Sequence, residues 1–262
     1  GIVNWRMGVY ALILVGVLQD PVRKMMPGTP AYMVLCTLPV WLACIIGLVR
    51  MERRLYGRLV QSYPMLAQGA VWFLVSLIPG VFMMLRHGFG VWQVAILGAF
   101  GYINPVLALI AGLQFARRPE GVVRLLTFFC LVTVVMLVGT LLEYLNLTPD
   151  WSAVGTQVMG HRWVRYRHGY VVHMMTGFYR SPDIMGWHGS MLVMLSLTLL
   201  AFLGVGRGGI WGVPASFGAL CLLLAERLKT IMLPPLWIMV MAWSYVRTGK
   251  VGQVVLLGGI AV

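Results

Sequence analysis

Apolar runs close to 20 residues long, separated by short polar stretches, form the dominant pattern of this chain. A transmembrane helix needs roughly 20 mostly apolar residues to cross the hydrocarbon core of a bilayer. Two shorter apolar runs, from Met7 to Leu18 and from Val251 onward, are interpreted as partial spans. Seven runs are predicted to be complete spans: 31–49, 65–85, 91–113, 122–142, 184–204, 209–225 and 230–246.

This pattern predicts an all-α fold, a polytopic transmembrane helix bundle of about seven complete spans plus two partial ones. No repeat of fixed period and no insert the size of a soluble domain interrupts the runs, so residues 1–262 are expected to form a single integral membrane domain. The only long polar connection is 143–183. Because the sequence begins at Gly1 and stops within an apolar run, we expect it to be a piece of a longer chain.

Composition agrees with a membrane protein and excludes several other classes. Hydrophobic residues make up 60% of the chain and charged residues 10%, against roughly 45–50% and about 25% in soluble domains. Disordered chains and disulfide scaffolds need other compositions. The four cysteines stand singly within apolar runs, without a C-x-x-C pair, which indicates buried packing residues and no metal site.

The distribution of Lys and Arg between the loops predicts the membrane orientation. The chain carries 20 Lys and Arg against 7 Asp and Glu. When the long loop is left out, one side of the predicted bundle has eleven basic residues and the other five, if the first run crosses. The positive-inside rule then places the first side in the cytoplasm and loop 143–183 outside.

Bases and aromatic residues alternate within the long loop between His161 and His168. One interpretation is an interfacial segment, with aromatic rings at headgroup level and arginines on lipid phosphate. The other is a basic cradle for an anionic lipid-linked substrate. Nucleic acid is disfavoured because the segment lies outside the cytoplasm. The arginines concerned are Arg162, Arg165 and Arg167.

Two further polar segments are predicted to meet at the same outer surface. Ser181 is a favourable N-cap, Pro182 suits the first helical position and Asp183 suits the first turn, so a membrane helix should start here with Arg180 beside it. Glu226-Arg227-Leu228-Lys229 separates the next two apolar runs. A polar turn with a purely structural role is the alternative interpretation of that second segment.

Three segments together resemble a known superfamily. Residues 8–30, which include Asp20-Pro21-Val22-Arg23-Lys24, resemble the first helix and following turn of bacterial exopolysaccharide polymerases, members of the O-antigen ligase and polymerase superfamily. The stretch from Thr176-Gly177-Phe178-Tyr179 to Trp187-His188 resembles the superfamily's Gly-aromatic-x-x-Pro helix start. The turn at 226–229 resembles its short outer turn rich in Arg and Lys.

The resemblance implies a glycosyltransferase of the bacterial inner membrane, with the long loop on the periplasmic or extracellular side. Such an enzyme moves a glycan from an undecaprenyl-diphosphate-linked donor onto the sugar hydroxyl of an acceptor glycan or glycolipid. From the residues themselves we expect no metal or other cofactor, because no loop presents two carboxylates, or a carboxylate and a histidine, at the spacing of a divalent metal site, and we expect no nucleic-acid partner. Stabilising a diphosphate leaving group needs cations, and the acceptor hydroxyl needs a base. Arg180, Arg227 and Lys229 are candidates for the first role. Candidates for the base are His168, His173, Asp183 and Glu226.

Other functional classes stay open from the sequence. A transporter or flippase of lipid-linked or anionic substrates is the main alternative, although the complete spans carry no charge near their centres. A haem-handling protein would need two facing helical histidines, and only His188 is placed on a helix, where packing is the simpler interpretation. A glycan-binding assembly subunit without turnover is the remaining class.

Overall fold

The computed structural model describes residues 4–26, 31–51, 61, 64–87, 92–148 and 164–247, and these are mostly helical. The helices are, in chain order, α1 (Trp5–Met25), α2 (Leu38–Met51), α3 (Pro64–Val75), α4 (Ile78–His87), α5 (Trp92–Phe115), α6 (Pro119–Tyr144), α7 (Pro182–Gly208), α8 (Gly212–Ala225), α9 (Leu228–Ile231) and α10 (Leu233–Arg247). Short 3-10 helices, Ala31–Thr37 and Gly209–Trp211, precede α2 and α8. A two-stranded antiparallel hairpin is formed by β1 (Val164–Arg167) and β2 (Tyr170–His173).

The described chain divides into two compact units, the first made of residues 1–16 and 31–122. Aromatic contacts join the start of α1 to the end of α5. The Trp5 and Phe115 ring centroids lie 5.1 Å apart in an edge-to-face arrangement, and the Arg6 guanidinium lies 5.4 Å from the Trp5 ring centroid. A small apolar cavity of about 80 Å³ lies beside Trp5 and Trp41.

The second unit comprises residues 17–30 and 123–262, and α7 and α8 form its central helical hairpin. Gly204 has φ 75° and ψ 166°, a conformation that favours glycine, and it breaks the helical path before α8 begins. Gly189 and Gly218 face each other across the hairpin, because a β-carbon on Gly218 would lie 3.0 Å from the Gly189 carbonyl oxygen. Small residues therefore let the two backbones approach closely, as in many membrane helix pairs.

Three helices among the described residues are long and apolar enough to cross a membrane: Pro119–Tyr144, Pro182–Gly204 and Gly206–Ala225. They correspond to the predicted spans 122–142, 184–204 and 209–225. The prediction of seven complete spans is not supported.

Several of the other predicted spans are interrupted. The run 65–85 is divided between α3 and α4, where the Ser76 hydroxyl donates to the Phe73 carbonyl oxygen at 2.6 Å. The run 31–49 begins as a 3-10 helix, and 230–246 is interrupted at Met232. The described part of the run 91–113, residues 92–113, lies within α5, and the partial span 7–18 lies within α1. Average apolarity over 20 residues does not reveal such local breaks. The partial span from Val251 lies outside the described residues.

The β-hairpin is a departure from an all-α fold. Val164 pairs with His173 and Arg167 with Tyr170, and His168 and Gly169 form the two-residue turn with φ of 48° and 84°. Positive φ at both central positions suits the right-handed twist of the strands. The hairpin leads directly into the segment that begins α7.

Candidate functional site

The start of α7 is built as the sequence predicts. The Ile184 backbone N–H donates to the Ser181 Oγ at 3.4 Å, Pro182 is the first helical residue, and Asp183 lies in the first turn. Ser181 thereby caps one of the N–H groups that a helix N-terminus leaves without an intrahelical partner. Arg180 precedes this cap directly.

Arg180 pairs with a carboxylate from α1. Its Nε atom lies 3.5 Å from the Asp20 Oδ1 atom, and Asp20 is only 6% exposed. Among the described residues, the buried Oδ2 atom of Asp20 has no hydrogen-bond partner. Burial raises the pKa of the Asp20 carboxyl, while the positive charge of Arg180 opposes that shift.

Asp183 pairs with two basic residues that follow α8. Its Oδ2 atom lies 3.1 Å from Arg227 Nη2, and its Oδ1 atom lies 2.7 Å from Lys229 Nζ. The carboxylate paired with Arg180 is Asp20, although Asp183 is closer to it in sequence. Asp183 instead bridges α7 to the segment after α8.

Two ion-paired groups therefore flank the start of α7, and we call them together the charged cluster: Asp20 with Arg180, and Asp183 with Arg227 and Lys229. The α7–α8 hairpin returns the chain to the start of α7, and this geometry brings the predicted segments 180–183 and 226–229 together. The Ser190 hydroxyl reinforces the return by donating to the Thr230 carbonyl oxygen at 2.7 Å.

An open groove of about 600 Å³ adjoins the charged cluster. Its polar end is the ion pair between Asp183 and Lys229, and its wall is largely apolar. The side chain of Lys229 is 72% exposed, so a ligand in the groove can reach its ammonium group. The groove is lined by Asp183, Ile184, Trp187, Lys229, Thr230 and Leu233.

A buried lysine, Lys24, and a half-buried glutamate, Glu143, hold the turn that leads to Arg180. Lys24 Nζ, on α1, donates to Thr176 Oγ1 at 2.7 Å and to the Gly177 carbonyl oxygen at 2.6 Å. Glu143 Oε2, near the end of α6, accepts from the Thr176 backbone N–H at 2.9 Å and from the Gly177 backbone N–H. Lys24 is 1% exposed. We call this arrangement the Lys24–Glu143 clamp.

Tyr179 and His188 pack beneath the start of α7. Their ring centroids lie 4.6 Å apart and the rings are stacked, and His188 Nδ1 lies 2.9 Å from the Ile184 carbonyl oxygen. Tyr179 is fully buried, which raises the pKa of its hydroxyl and keeps it protonated. His188 is thus placed as a packed histidine.

The remaining sequence-predicted residues lie on the β-hairpin and at the end of α8, except for one that is outside the described residues. His168 and His173 are exposed on the hairpin, and in the described part of the chain neither imidazole has a hydrogen bond or ion pair to the charged cluster. Glu226 has φ 51° and ends α8, where its N–H donates to the Leu223 carbonyl oxygen at 3.1 Å. Arg165 and Arg167 lie on β1, and Arg162 lies outside the described residues.

Sequence reasoning missed Asp20, Lys24 and Glu143 as members of the site. A signal was present, since Asp20 and Lys24 lie with Arg23 at the end of a helix whose middle, residues 7–18, is apolar. Buried charges are costly without partners, so their position within α1 already indicated a polar partner elsewhere in the fold.

Metal ligation and similarity to known proteins add no further assignment. No group of three or more His, Cys, Asp or Glu side chains that could hold a metal ion occurs among residues 4–26, 31–51, 61, 64–87, 92–148 and 164–247. No family model, no curated protein and no solved structure matches this chain.

Proposed function

We propose that this protein is a membrane glycosyltransferase of the polysaccharide polymerase or O-antigen ligase type. It transfers a glycan from an undecaprenyl-diphosphate-linked donor to an acceptor sugar hydroxyl at the outer face of the bacterial inner membrane. The observation that supports the proposal is the placement of three basic side chains at the start of an apolar helix: Arg180 directly precedes it, and Arg227 and Lys229 pair with Asp183 in its first turn.

The chemistry of glycan transfer fits such a cluster. The acceptor oxygen forms a bond to the anomeric carbon as the bond from that carbon to the diphosphate oxygen breaks, which inverts the configuration. A base takes the hydroxyl proton, and the lipid diphosphate leaves with the bonding electron pair. Negative charge grows on the diphosphate, so guanidinium groups and a helix N-terminus are suited to stabilise it.

The groove beside the cluster supports a lipid-linked donor. Ile184, Trp187 and Leu233 supply an apolar wall, while Lys229 and Asp183 stand at its polar end. A polyprenyl diphosphate matches this lining, because it is an apolar chain that ends in an anionic group. The base is chosen among His168, His173, Asp183 and Glu226, of which Asp183 already bridges Arg227 and Lys229.

Transport of a lipid-linked substrate is the competing function. A transport path needs ionisable groups inside the membrane. In the three apolar helices that are long enough to cross, the charged residues lie near the ends: Glu120, Arg124, Glu143, Asp183 and Arg207. This placement favours chemistry at a membrane surface over passage through the helices.

The test is transfer by the purified protein in lipid nanodiscs supplied with a polyprenyl-diphosphate oligosaccharide and an acceptor glycan. We expect Arg180→Lys and Arg227→Lys each to lower turnover at least about tenfold, because lysine keeps the charge but lacks the planar fork of donors. Arg207→Lys, at the far end of α7, is the matched control and should retain activity.

Two results would contradict the proposal. Near-normal turnover in both variants at normal protein levels would show that the charged cluster takes no part in the reaction. Failure of the unchanged protein to form product, combined with movement of the lipid-linked donor between leaflets of a proteoliposome, would favour transport.

A further inference from the structure

We propose that Lys24 and Glu143 are positioning residues, which hold the turn at Thr176 and Gly177 from two helices and so fix Arg180 for diphosphate binding, a role that rests on the proposed function. Five hydrogen bonds from the clamp converge on this single turn. Neither charged group is itself a member of the charged cluster.

The connection from the clamp to Arg180 is short and rigid. The Tyr179 N–H donates to the Thr176 carbonyl oxygen at 3.0 Å, which closes a turn immediately before Arg180. Gly177 has φ 55°, and a β-carbon there would lie 2.6 Å from the Thr140 backbone nitrogen. The turn is therefore pressed against α6 at the same place where Glu143 binds it.

Tyr179 limits movement on the other side of the turn. It is fully buried and stacks on His188 of α7. With Gly177 against α6 and Tyr179 against α7, the intervening backbone has little freedom. A displacement of the turn at Thr176 would therefore move Arg180 relative to Arg227.

Holding a turn with charged groups that are removed from water costs more free energy than apolar packing does. This cost indicates that the turn must be placed precisely. Burying Lys24 removes its ammonium from water, and the nearby carboxylate compensates only in one geometry. Apolar packing alone would stabilise the fold without fixing the direction in which this turn points. The Thr176 hydroxyl accepts from Lys24 and also donates to Glu143 Oε2 at 3.5 Å, so it lies between the two charges.

The experiment compares Lys24→Met, Glu143→Gln and Thr176→Val in nanodiscs. Thr176→Val is the mildest change, because it removes the hydroxyl while keeping the shape. Thr133→Val is its matched control, since Thr133 is also fully buried and its hydroxyl has no hydrogen-bond partner among the described residues.

We expect each clamp variant to raise amide hydrogen exchange in residues 174–180 while α8 keeps its protection. We also expect kcat to fall at least about tenfold with the donor KM changed less than about threefold, as for a group whose effect appears in the transition state. Thr133→Val should change neither quantity. Lys24→Arg should recover more of the kcat than Lys24→Met.

Each alternative outcome has a meaning. Unchanged exchange in all three variants would overturn the clamp. Increased exchange with normal kcat would show a structural role and overturn positioning. If Lys24→Met or Glu143→Gln fails to fold, Thr176→Val decides between these results. If the unchanged protein shows no transfer, the proposed function fails, and exchange in 174–180 still decides whether the clamp exists.

Discussion

Lys24 carries a positive charge in an interior where an uncharged side chain would be cheaper to bury. Burial lowers the pKa of its ammonium from the usual 10.5 to about 8, although the negative charges of Glu143 and Asp20 oppose the shift. The Lys24 charge should therefore be lost within an experimentally accessible pH range. Its hydrogen bonds to Thr176 and Gly177 make that loss relevant to the turn before Arg180.

Activity and stability should respond in opposite directions to this titration. We expect kcat to decline as pH rises through about 8, because the charged clamp is lost. The folded pKa lies below the unfolded value, so the unfolded chain binds more protons between about pH 8 and 10.5, and the Lys24 contribution to stability rises across that window. The measurements are a pH profile of kcat and thermal unfolding at each pH.

Lys24→Arg is the control for this pH profile, since a guanidinium stays charged across the range. Its decline in kcat should move to higher pH. An unaltered profile in Lys24→Arg would show that another group controls the decline.

At the scale of elements, the α7–α8 hairpin is held by contact between glycine backbones. A β-carbon on Gly218 would lie 3.0 Å from the Gly189 carbonyl oxygen and 3.2 Å from the Leu192 and Val193 side chains. We expect Gly218→Ala to lower the thermal unfolding midpoint of the protein in nanodiscs, since overpacking costs about 1–3 kcal/mol.

Gly212→Ala in the same helix is the matched comparison, because nothing lies within 4 Å of the position of its added β-carbon. Its effect should be neutral or slightly stabilising, as alanine favours helix over glycine by up to about 1 kcal/mol. Equal unfolding midpoints for the two variants would refute close packing at Gly218.

The elements differ in how well sequence predicts them, for a physical reason. The start of α7 is specified by adjacent residues, Ser181, Pro182 and Asp183, and the sequence predicts it correctly. The hairpin strands carry a local signal in His168-Gly169, which apolarity over 20 residues does not register. The interruption at Met232 and the break between α3 and α4 are likewise local geometry hidden by average apolarity.

The site itself depends on contacts that no local pattern specifies. Lys24 and Thr176 are 152 positions apart, and Asp20 meets Arg180 over a similar separation. Sequence reasoning predicted that segments 180–183 and 226–229 meet because one helical hairpin joins them. The sequence contains no comparable constraint on the position of α1, because the membrane orientation of a helix does not determine which helices lie beside it.

For the molecule as a whole, the proposed orientation places the β-hairpin and the charged cluster on the same, non-cytoplasmic side. Cysteines introduced at His168 and Lys229 should both react with a membrane-impermeant thiol reagent in intact cells, because both residues are exposed. Arg207→Cys, at the other end of α7, should react only after permeabilisation.

Native thiols set the background for this labelling experiment. Cys36 is exposed and should be replaced by serine first, whereas Cys44, Cys130 and Cys221 are buried. Reaction at only one of His168→Cys and Lys229→Cys in intact cells would contradict the common orientation.

The charge balance of the cluster has a consequence for turnover. The cluster contains three basic groups and two carboxylates. Its net charge is therefore positive, which favours binding of an anion; the basic groups are Arg180, Arg227 and Lys229, and the carboxylates are Asp20 and Asp183. In the proposed reaction the departing lipid diphosphate has one more ionisable oxygen than the glycan-bearing donor. We therefore expect the cluster to bind the diphosphate of the product more tightly than that of the donor, so that release of the product into the bilayer limits turnover.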